Sequence, residues 1–432
     1  MRTPSEEIIL LLSSFAARHK FNVHNRVAIT GIGLVSPLGD SSGEVFMALC
    51  KGQSGVRRCE PVADDSCQCH LASRLLDFRT EKYLSGRPLR PLDRISQLAS
   101  AACGLALENS GWNAQSRASV DLSLVVGTMF GGMHTIGDFD RTAIVSGAAS
   151  VSPMAFANTV INAAAGQTAI WHNLRGANST VATGSTSGSS AVGHGTDLIQ
   201  SGRSKAVLAG GADEFSVESF CGFGRAGLLC TNGACPELPV PFDRRRNGFA
   251  LGEGAGFLAL EELTYAVQRG AELLAEVKGY ATAFDHLQGK DPDLAVRTLV
   301  RAIRKALDRS GIGPDEIDFV SASGNGSVVG DRYELGALAL VFGDRARDLP
   351  VTAIKCGTGE ALGASGPTQL AVAIETLNNK MLPGVIGLQD LPPACPLQRI
   401  SAETQTINAR TALVNGVGLD GNCCSIVIAS LD

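Results

Sequence analysis

The stretch Ser179-Thr-Val-Ala-Thr-Gly-Ser-Thr-Ser-Gly-Ser-Ser-Ala-Val-Gly-His-Gly-Thr-Asp197 decides the fold. It opens with a short β-branched run, passes through glycine and small hydroxyl residues, and continues into a segment compatible with a helix over 187–201. This order predicts a strand, a tight turn and a helix, with Ser185 in the turn. Because the first backbone N–H groups of a helix lack intrahelical partners, Ser185 is expected beside outward-pointing donors.

The turn does not match the nucleophile elbow of serine hydrolases. That elbow reads G-x-S-x-G, whereas here the residue between Gly184 and Gly188 at the central position is Thr186. The segment Thr183-Gly-Ser-Thr-Ser-Gly188 instead resembles the active-site turn of β-ketoacyl-acyl-carrier-protein synthases, which belong to the thiolase superfamily. In that family the nucleophile is a cysteine, and Ser185 stands in its place.

Length and composition indicate a globular protein with a sizeable core. The chain has 432 residues, of which 44% are hydrophobic and 18% are charged. A formal net charge of -5 with scattered basic residues leaves no footprint for nucleic acid or an anionic membrane. No apolar run reaches the roughly 18 residues of a membrane span. We therefore expect no nucleic-acid partner and no membrane span.

The cysteines indicate a reducing compartment. There are 12, at irregular spacing, and only Cys67-Gln-Cys69-His70 resembles a metal site, without a second ligand pair. Free thiols in a reducing cytosol account for this pattern better than a disulfide framework or a metal centre. We expect a cytoplasmic protein without a metal ion or cofactor.

The order of elements predicts an α/β fold built from two similar halves. Residues 1–25 form an N-terminal extension with a predicted helix over 5–20. Residues 26–262 form the first half, which contains the Ser185 turn, and residues 263–432 form the second half, with a similar order of strands and helices. Strands alternating with helices favour parallel sheets that are covered on both faces, arranged as layers around paired sheets. The resemblance implies the thiolase-like duplicated αβαβα fold.

The most specific match in the chain is Pro241-Phe-Asp-Arg-Arg-Arg-Asn-Gly-Phe-Ala-Leu-Gly-Glu-Gly-Ala255. It is similar to the synthase signature Pro-Phe-Asp…Arg…Gly-Phe…Gly-Glu-Gly-Ala. This signature is structural rather than catalytic in the family, so it supports the fold and says nothing about the activity.

The first family histidine is replaced. It belongs to an Ala-His-Gly-Thr-Gly-Thr…Asp turn, and this chain reads Ser321-Ala-Ser-Gly-Asn-Gly-Ser-Val-Val-Gly-Asp331, with Ser323 at the histidine position. The threonines that hydrogen-bond the pantetheine arm in the family have become Asn325 and Ser327.

The second family histidine is also replaced. The motif Lys…Gly-His…Gly-Ala-Ala-Gly reads Lys355-Cys-Gly-Thr-Gly-Glu-Ala-Leu-Gly-Ala-Ser-Gly366 here. Lys355 is retained, Glu360 stands at the histidine position, and Gln369 takes the place of an acidic residue later in the same helix.

The last motif, Asn-Ser-Phe-Gly-Phe-Gly-Gly, corresponds to Asn415-Gly-Val-Gly-Leu-Asp-Gly421. Leu419 stands at the position of the gating phenylalanine. Asp420 adds a carboxylate beside the turn that supports the oxyanion in the family. The resemblance therefore covers the catalytic motifs but not their reactive side chains.

No histidine is placed to activate Ser185. A serine hydroxyl needs an adjacent base to act as a nucleophile. His194 is the nearest histidine in the sequence, yet nine residues along a helix correspond to ~13 Å. Loss of the cysteine and both histidines predicts that the chain lacks the synthase chemistry.

The resemblance is strongest to the chain-length factors, which are the β subunits of type II ketosynthase pairs. It implies a non-catalytic subunit that forms a heterodimer with an active ketosynthase and shapes its acyl tunnel. Acyl carrier protein would be reached through that partner, and the product would be a polyketide, an aryl polyene or a specialised fatty acid. The candidate tunnel and gate residues are Met129, Phe130, Met133, Phe156 and Leu419.

Two alternatives remain open, because the cysteine position of the best-known chain-length factors carries glutamine rather than serine. The first is an enzyme, either a serine-dependent acyltransferase or a malonyl decarboxylase, that acts through Ser185. The second is an acyl-binding or scaffolding protein without a synthase partner.

Overall fold

The computed structural model describes residues 25–59, 69–231, 238–393 and 395–431, without the side chains of residues 114 and 118. The helix predicted over 5–20 and half of the Cys67–His70 cluster lie outside these residues. Ten strands form one sheet: β1 (Val27–Val35), β2 (Ser123–Gly127), β3 (Asn178–Val181), β4 (Ala206–Asp213), β5 (Gly254–Glu262), β6 (Ala275–Phe284), β7 (Phe319–Ser321), β8 (Val351–Thr352), β9 (Thr411–Val417) and β10 (Asn422–Ala429).

The strand order is β3-β2-β4-β5-β1-β6-β10-β9-β7-β8. Outward from the central pair β1 and β6, the two halves therefore place their five strands in the same order. The two halves meet where β1 pairs antiparallel with β6 through Val27–Val277, Ala28–Glu276 and Ile29–Ala275. The duplication expected from the sequence is confirmed. The division of the chain after residue 262 stays a prediction.

The prediction of two purely parallel sheets was wrong. In each half four strands run parallel, but the fifth, β5 or β10, is inserted antiparallel beside the first. In the second half, the short connection from β9 to β10 makes a hairpin, which only an antiparallel pair can close. Alternation of strands and helices does not reveal such an inserted strand.

Six long helices pack on the sheet: α1 (Arg94–Asn109), α2 (Ala163–His172), α3 (Ser187–Gln200), α4 (Pro292–Ser310), α5 (Gly330–Phe342) and α6 (Ser365–Asn379). The other α-helices are Ser42–Cys50, Ala114–Ala118, Met133–Ser146, Pro153–Phe156, Val217–Arg225, Leu263–Gln268 and Lys355–Thr358. We call Met133–Ser146 the arm helix. Short strands are Arg57–Arg58, Leu71–Ser73, Leu251–Gly252, Met381–Leu382 and Gln405–Thr406.

The helices form the outer and central layers. α1 and α2 cover the first half of the sheet, α4 and α5 cover the second half, and α3 and α6 lie between the halves, where α3 contacts strands of both. This is the predicted αβαβα arrangement. Local signals in the sequence define the outer helix α4. Asp291 caps its N-terminus, Pro292 is its first residue, and Gly311 ends it with φ 68°. Its apolar residues, such as Leu299 and Ile303, face the core.

The central helices approach each other through small residues. A Cβ atom on Gly188 of α3 would overlap the carbonyl oxygen of Gly363, just before α6. A Cβ atom on Gly366 of α6 would overlap the hydroxyl of Ser189. Only glycine permits this contact, which brings the Ser185 turn and the Lys355–Gly366 segment together.

Within the described ranges, no helix is long and apolar enough to cross a lipid bilayer.

Candidate functional site

Ser185 lies where the sequence predicts it. It is the middle residue of a single 3₁₀ turn, Gly184–Thr186, between β3 and α3. Hydroxyl groups build this turn, since Thr186 Oγ1 donates to Thr183 O at 2.7 Å and Ser187 Oγ donates to Gly184 O at 2.5 Å. Gly184 has φ 59°, a left-handed conformation that glycine adopts without strain.

Among the residues that the structure describes, none serves as a base for the Ser185 hydroxyl. The side chain is half-buried, and no other described residue exchanges a hydrogen bond with it. Among the described histidines, His134 pairs with Asp138 and His172 bonds the carbonyl of Ser100, so neither serves Ser185. A hydroxyl without an acceptor for its proton is a poor nucleophile.

A carboxylate occupies the space beside the turn. A Cβ atom on Gly184 would overlap the carboxylate of Asp420, which Asn422 holds through its side-chain amide at 2.7 Å. The sequence predicted a carboxylate here, and the structure places it against the turn. Since condensing chemistry develops negative charge on oxygen, an anion at this point opposes it.

Lys355 and Glu360 form a buried ion pair. Lys355 Nζ lies 2.8 Å from Glu360 Oε2, and both side chains are at most 3% exposed. Three further groups donate to the same carboxylate: Asn325 Nδ2 at 2.9 Å, Ser365 Oγ at 2.7 Å and the Leu362 amide at 3.3 Å. With four donors on this carboxylate, Lys355 is engaged as a hydrogen-bond donor and is not placed to act as a base.

Ser323, at the other histidine position, joins this network. Its Oγ accepts from Lys355 Nζ at 3.1 Å and from the Val417 amide at 2.9 Å. The contact to a paired lysine is that of a hydrogen-bond acceptor and not of an activated nucleophile. Ser323, Lys355 and Glu360 therefore form one buried hydrogen-bonded network.

Asn325 and Ser327, which were aligned with two threonines of the family motif, also form hydrogen bonds within the site. Asn325 donates to Glu360 and accepts from the Ser327 amide at 3.0 Å, while Ser327 Oγ accepts from the Gly330 amide at 3.1 Å. Gln369 donates to the carbonyls of Ala322 at 2.9 Å and Asn415 at 3.1 Å. These polar groups hold the site's own backbone.

Three buried acids lie at the site, and the sequence indicated only one of them, Asp331, as the retained aspartate of the motif that contains Ser323. Burial raises the pKa of Asp331 and of Asp213 to about 6, and burial together with the nearby Asp331 raises the pKa of Glu334 to about 7. Asp331 and Glu334 are three residues apart at the start of α5, a spacing that puts both on one face. That spacing was the available signal.

Asp213 fastens the two halves together at the site. At the end of β4 it accepts from Thr128 Oγ1 at 2.8 Å and from the amides of Met129 at 2.9 Å, Phe130 at 3.2 Å and Gly363 at 2.8 Å. One carboxyl group thus links the segment after β2 to the loop before α6. Nothing in the sequence around Asp213 marks this role.

A cavity of about 300 Å³ opens next to Ser323. Its wall includes Leu419 and Val417 on one side, Leu228 and Leu299 on the others, with Glu334 at its polar end. Leu419 thus lines a cavity, as a gate residue would. Ser185, Lys355 and Glu360 are not part of its wall.

The other tunnel candidates lie elsewhere. Met129 and Phe130 pack with Leu419 against a second hydrophobic cluster, where the Phe130 ring is tilted against that of Phe223 at a centroid distance of 5.8 Å. Met133 is half-buried at the start of the arm helix, and Phe156 is 59% exposed. None of these four lines the 300 Å³ cavity, and their role in a tunnel stays a prediction.

The described residues offer no group of three or more histidine, cysteine or acidic side chains that could hold a metal ion.

Family models match most of the chain. The model of the beta-ketoacyl synthase N-terminal domain matches residues 24–266, and that of the beta-ketoacyl synthase C-terminal domain matches residues 274–389. Among curated relatives, 3-oxoacyl-[acyl-carrier-protein] synthase 2 of Coxiella burnetii is 30% identical over 406 residues, covering 94% of this chain and 98% of that protein. The synthase 2 of Vibrio cholerae is 30% identical over 408 residues, covering 93% and 98%.

Solved structures agree with this assignment. The ishigamide ketosynthase/chain length factor superposes with a TM-score of 0.88 at 28% identity, covering 95% of this chain and 100% of that chain. A beta-ketoacyl synthase from Burkholderia phymatum gives the same TM-score and identity over 94% of this chain and 100% of its own. The sequence motifs, the layered fold and these matches together show that the chain belongs to the β-ketoacyl synthase family.

Proposed function

We propose that the chain is a non-catalytic, chain-length-factor-like subunit that pairs with an active ketosynthase and shapes its acyl tunnel. The observation that carries the proposal is the Lys355–Glu360 pair, which Ser323 joins as an acceptor. In the family the positions of Ser323 and Glu360 carry two histidines that serve the reaction. Here Ser323 and Glu360 instead bind Lys355, so neither position offers a base or an imidazole to stabilise an enolate.

An exposed apolar surface supports a partner subunit. The arm helix has no buried residue, and its Ile144 and Val145 are 82% and 78% exposed. Further exposed apolar side chains follow in the next turns and in α2: Met154, Phe156, Val160, Ile161 and Ile170. Exposed apolar side chains in this number on successive segments of a folded protein indicate an interaction site.

The free edge of the sheet supports the same surface as the binding site of the partner subunit. β3 is the terminal strand, pairs only with β2 among the described strands, and is packed beside α2, which carries Ile170. An open edge strand presents unpaired N–H and C=O groups that a second chain can satisfy. We infer that the partner ketosynthase covers β3 and the arm helix together.

Tunnel shaping follows from where this surface lies. Met133 begins the arm helix, and the Phe156 ring lies 6.1 Å from that of Phe139 within the helix. A partner seated on the arm helix would therefore contact these side chains, which could limit the length of an acyl chain crossing the interface. The product would be a polyketide, an aryl polyene or a specialised fatty acid.

The test is coexpression with an active ketosynthase and an acyl carrier protein, followed by native mass spectrometry and product analysis. We expect a one-to-one association of the two synthase-like chains and product formation that Ser185→Ala leaves nearly unchanged. Ile144→Asp with Val145→Asp should abolish association. Val267→Asp, at a residue that is 59% exposed on the Leu263–Gln268 helix, is the control and should have no effect.

The rival function is an acyltransferase or decarboxylase acting through Ser185. It requires an acyl ester on Ser185 that the isolated chain forms and turns over. Detection of that ester by mass spectrometry, together with loss of product in Ser185→Ala, would replace our proposal with this alternative.

A further inference from the structure

The arm helix begins above a group of buried acids that the site does not use. The His134 amide, in the first turn, donates to Glu214 Oε1 at 2.8 Å. Asp93 reaches the same turn, because a Cβ atom on Gly132 would overlap its Oδ2 atom. Glu214 is 4% exposed and Asp93 is half-buried. The start of the arm helix therefore rests on carboxyl groups that water hardly reaches.

The charges around Glu214 are unbalanced. Three carboxyl groups act on it, those of Asp93, Glu253 and Asp213. The nearby cation is Arg94, which is already engaged with Glu253 through contacts of 2.6 Å and 3.0 Å. If all were ionised, four negative charges would face one positive charge in a buried space. A neutral Glu214 avoids the largest part of this repulsion.

Charged groups on the helices that pack around Glu214 do not compensate for this excess of negative charge. On the arm helix, His134 and Asp138 are exposed and pair with each other at 3.4 Å. On the Val217–Arg225 helix, Glu218 touches the arm helix at Gly137 and adds negative charge, but it is exposed.

At this site two buried carboxyl oxygen atoms, Glu214 Oε2 and Asp93 Oδ2, have no hydrogen-bond partner among the described residues. An ionised carboxylate in this position would leave a negative oxygen without a donor, which is strongly unfavourable in a buried site. A proton on Glu214 removes that charge. The orphaned oxygens are thus an observation independent of the charge count, and both indicate a bound proton.

On the basis of the proposed function, we propose that Glu214 is a proton-dependent latch beneath the partner-facing arm helix. The neutral carboxyl group holds the first turn of the helix in the form that the partner recognises. Opening of that turn admits water, releases the proton of Glu214 and weakens assembly. Assembly is therefore linked to pH through one buried side chain.

The direction of the pH effect follows from linkage. Burial, with repulsion from Asp93, Glu253 and Asp213, raises the pKa of Glu214 to about 8 in the closed form, against an ordinary value of 4.5. The closed form therefore binds the proton more tightly than the open form. Closure is favoured at low pH, weakens as the pH rises between these two values, and changes no further above about pH 8.

Hydrogen exchange of residues 133–146 tests the latch in the purified chain. Wild type and Glu214→Gln are compared at the same pH, which cancels the pH dependence of the intrinsic exchange rate. From about pH 6 to about pH 8, wild type should lose protection relative to Glu214→Gln by roughly tenfold or more. Glu218→Gln, at an exposed acid that touches the same helix, should follow wild type.

Equal pH profiles for wild type and Glu214→Gln would overturn the proposal. Asp93→Asn gives a second test that does not alter Glu214 itself. Because Asp93 raises the pKa of Glu214, its neutralisation should move the transition to lower pH, and an unmoved transition contradicts the latch.

Sedimentation velocity of the assembly with the coexpressed ketosynthase completes the test. Wild type should dissociate more readily at about pH 8 than at about pH 6, and Glu214→Gln should not. Assembly that forms but ignores pH refutes the latch alone. Exchange that responds to pH in a chain that never assembles refutes the proposed function alone.

Discussion

The ammonium group of Lys355 and the carboxylate of Glu360 lie 2.8 Å apart in the interior of the protein. Such a pair gains its Coulomb energy only against the cost of removing two charges from water. The additional donors from Asn325, Ser365 and Leu362 make the arrangement stable. The site is thus organised around its own internal charge balance.

Breaking that balance should be costly. Glu360→Gln leaves Lys355 buried without a counter-ion, and we expect it to lower the free energy of unfolding by about 3–5 kcal/mol. Combining it with Lys355→Met should restore much of the loss, because no unpaired charge remains. Urea unfolding monitored by circular dichroism measures both. Asp390→Asn, which breaks the exposed Arg244–Asp390 pair of 3.0 Å, should change stability by less than about 1 kcal/mol.

If Glu360→Gln were no more destabilising than Asp390→Asn, Lys355 would have another route to neutrality, and its exclusion as a base would fail.

Asp213 should be important for stability. Asp213→Ala leaves four donors without an acceptor, those of Thr128, Met129, Phe130 and Gly363, of which the Thr128 hydroxyl and the Gly363 amide are buried. We expect a loss of more than about 3 kcal/mol by chemical unfolding. Exposed Asp344→Ala is the control and should stay within about 0.5 kcal/mol of wild type.

His172 should make the protein sensitive to acid. Burial lowers its pKa to about 4, and its Nε2 lies 2.8 Å from Ser100 O. The unfolded chain binds the proton near the ordinary value of about 6.5, so stability is lost as the pH falls from about 6.5 towards 4. Between pH 7 and pH 5 the loss should be about 2 kcal/mol.

His172→Gln keeps a donor for Ser100 O and should flatten this part of the stability profile. A profile that stays as steep in the variant would assign the acid sensitivity to other groups.

Product length is the prediction closest to function. In the coexpressed pair, Met133→Trp or Phe156→Trp should shorten the product, because either adds volume at the surface assigned to the partner. Chromatography with mass spectrometry resolves the chain lengths. Val267→Trp enlarges an exposed side chain outside that surface and should leave the length unchanged. Unaltered products from both interface variants would remove these residues from the tunnel.

The fold could be predicted from the sequence because local signals and the resemblance agreed. The turn at Ser185, the strand after it in Ala206–Asp213 and the helix ending at Gly311 are all set by nearby glycine and β-branched residues. The antiparallel insertion of β5 beside β1 could not be predicted. It depends on pairing between residues more than 200 positions apart, such as Val27 with Glu262, for which no local pattern exists.

The chemistry of the site was less accessible than its location. Each substitution, at Ser185, Ser323 and Glu360, was visible from its motif. That Glu360 would be the partner of Lys355, and that Asn325 would complete the shell, depends on side-chain directions in three separate loops. Buried acids such as Glu214 were missed because burial, which decides their charge, is a property of the packed molecule.

The contact of Gly188 with Gly363 O shows which changes a chain of this kind can tolerate. Replacing a nucleophile or a histidine leaves the helix axes where they are, so chemistry can disappear by small, separate steps. A single methyl group at Gly188 would instead drive the two central helices apart and separate the halves. A protein that loses catalytic activity can therefore accumulate substitutions at its reactive positions, whereas the glycine contact between its central helices must be retained.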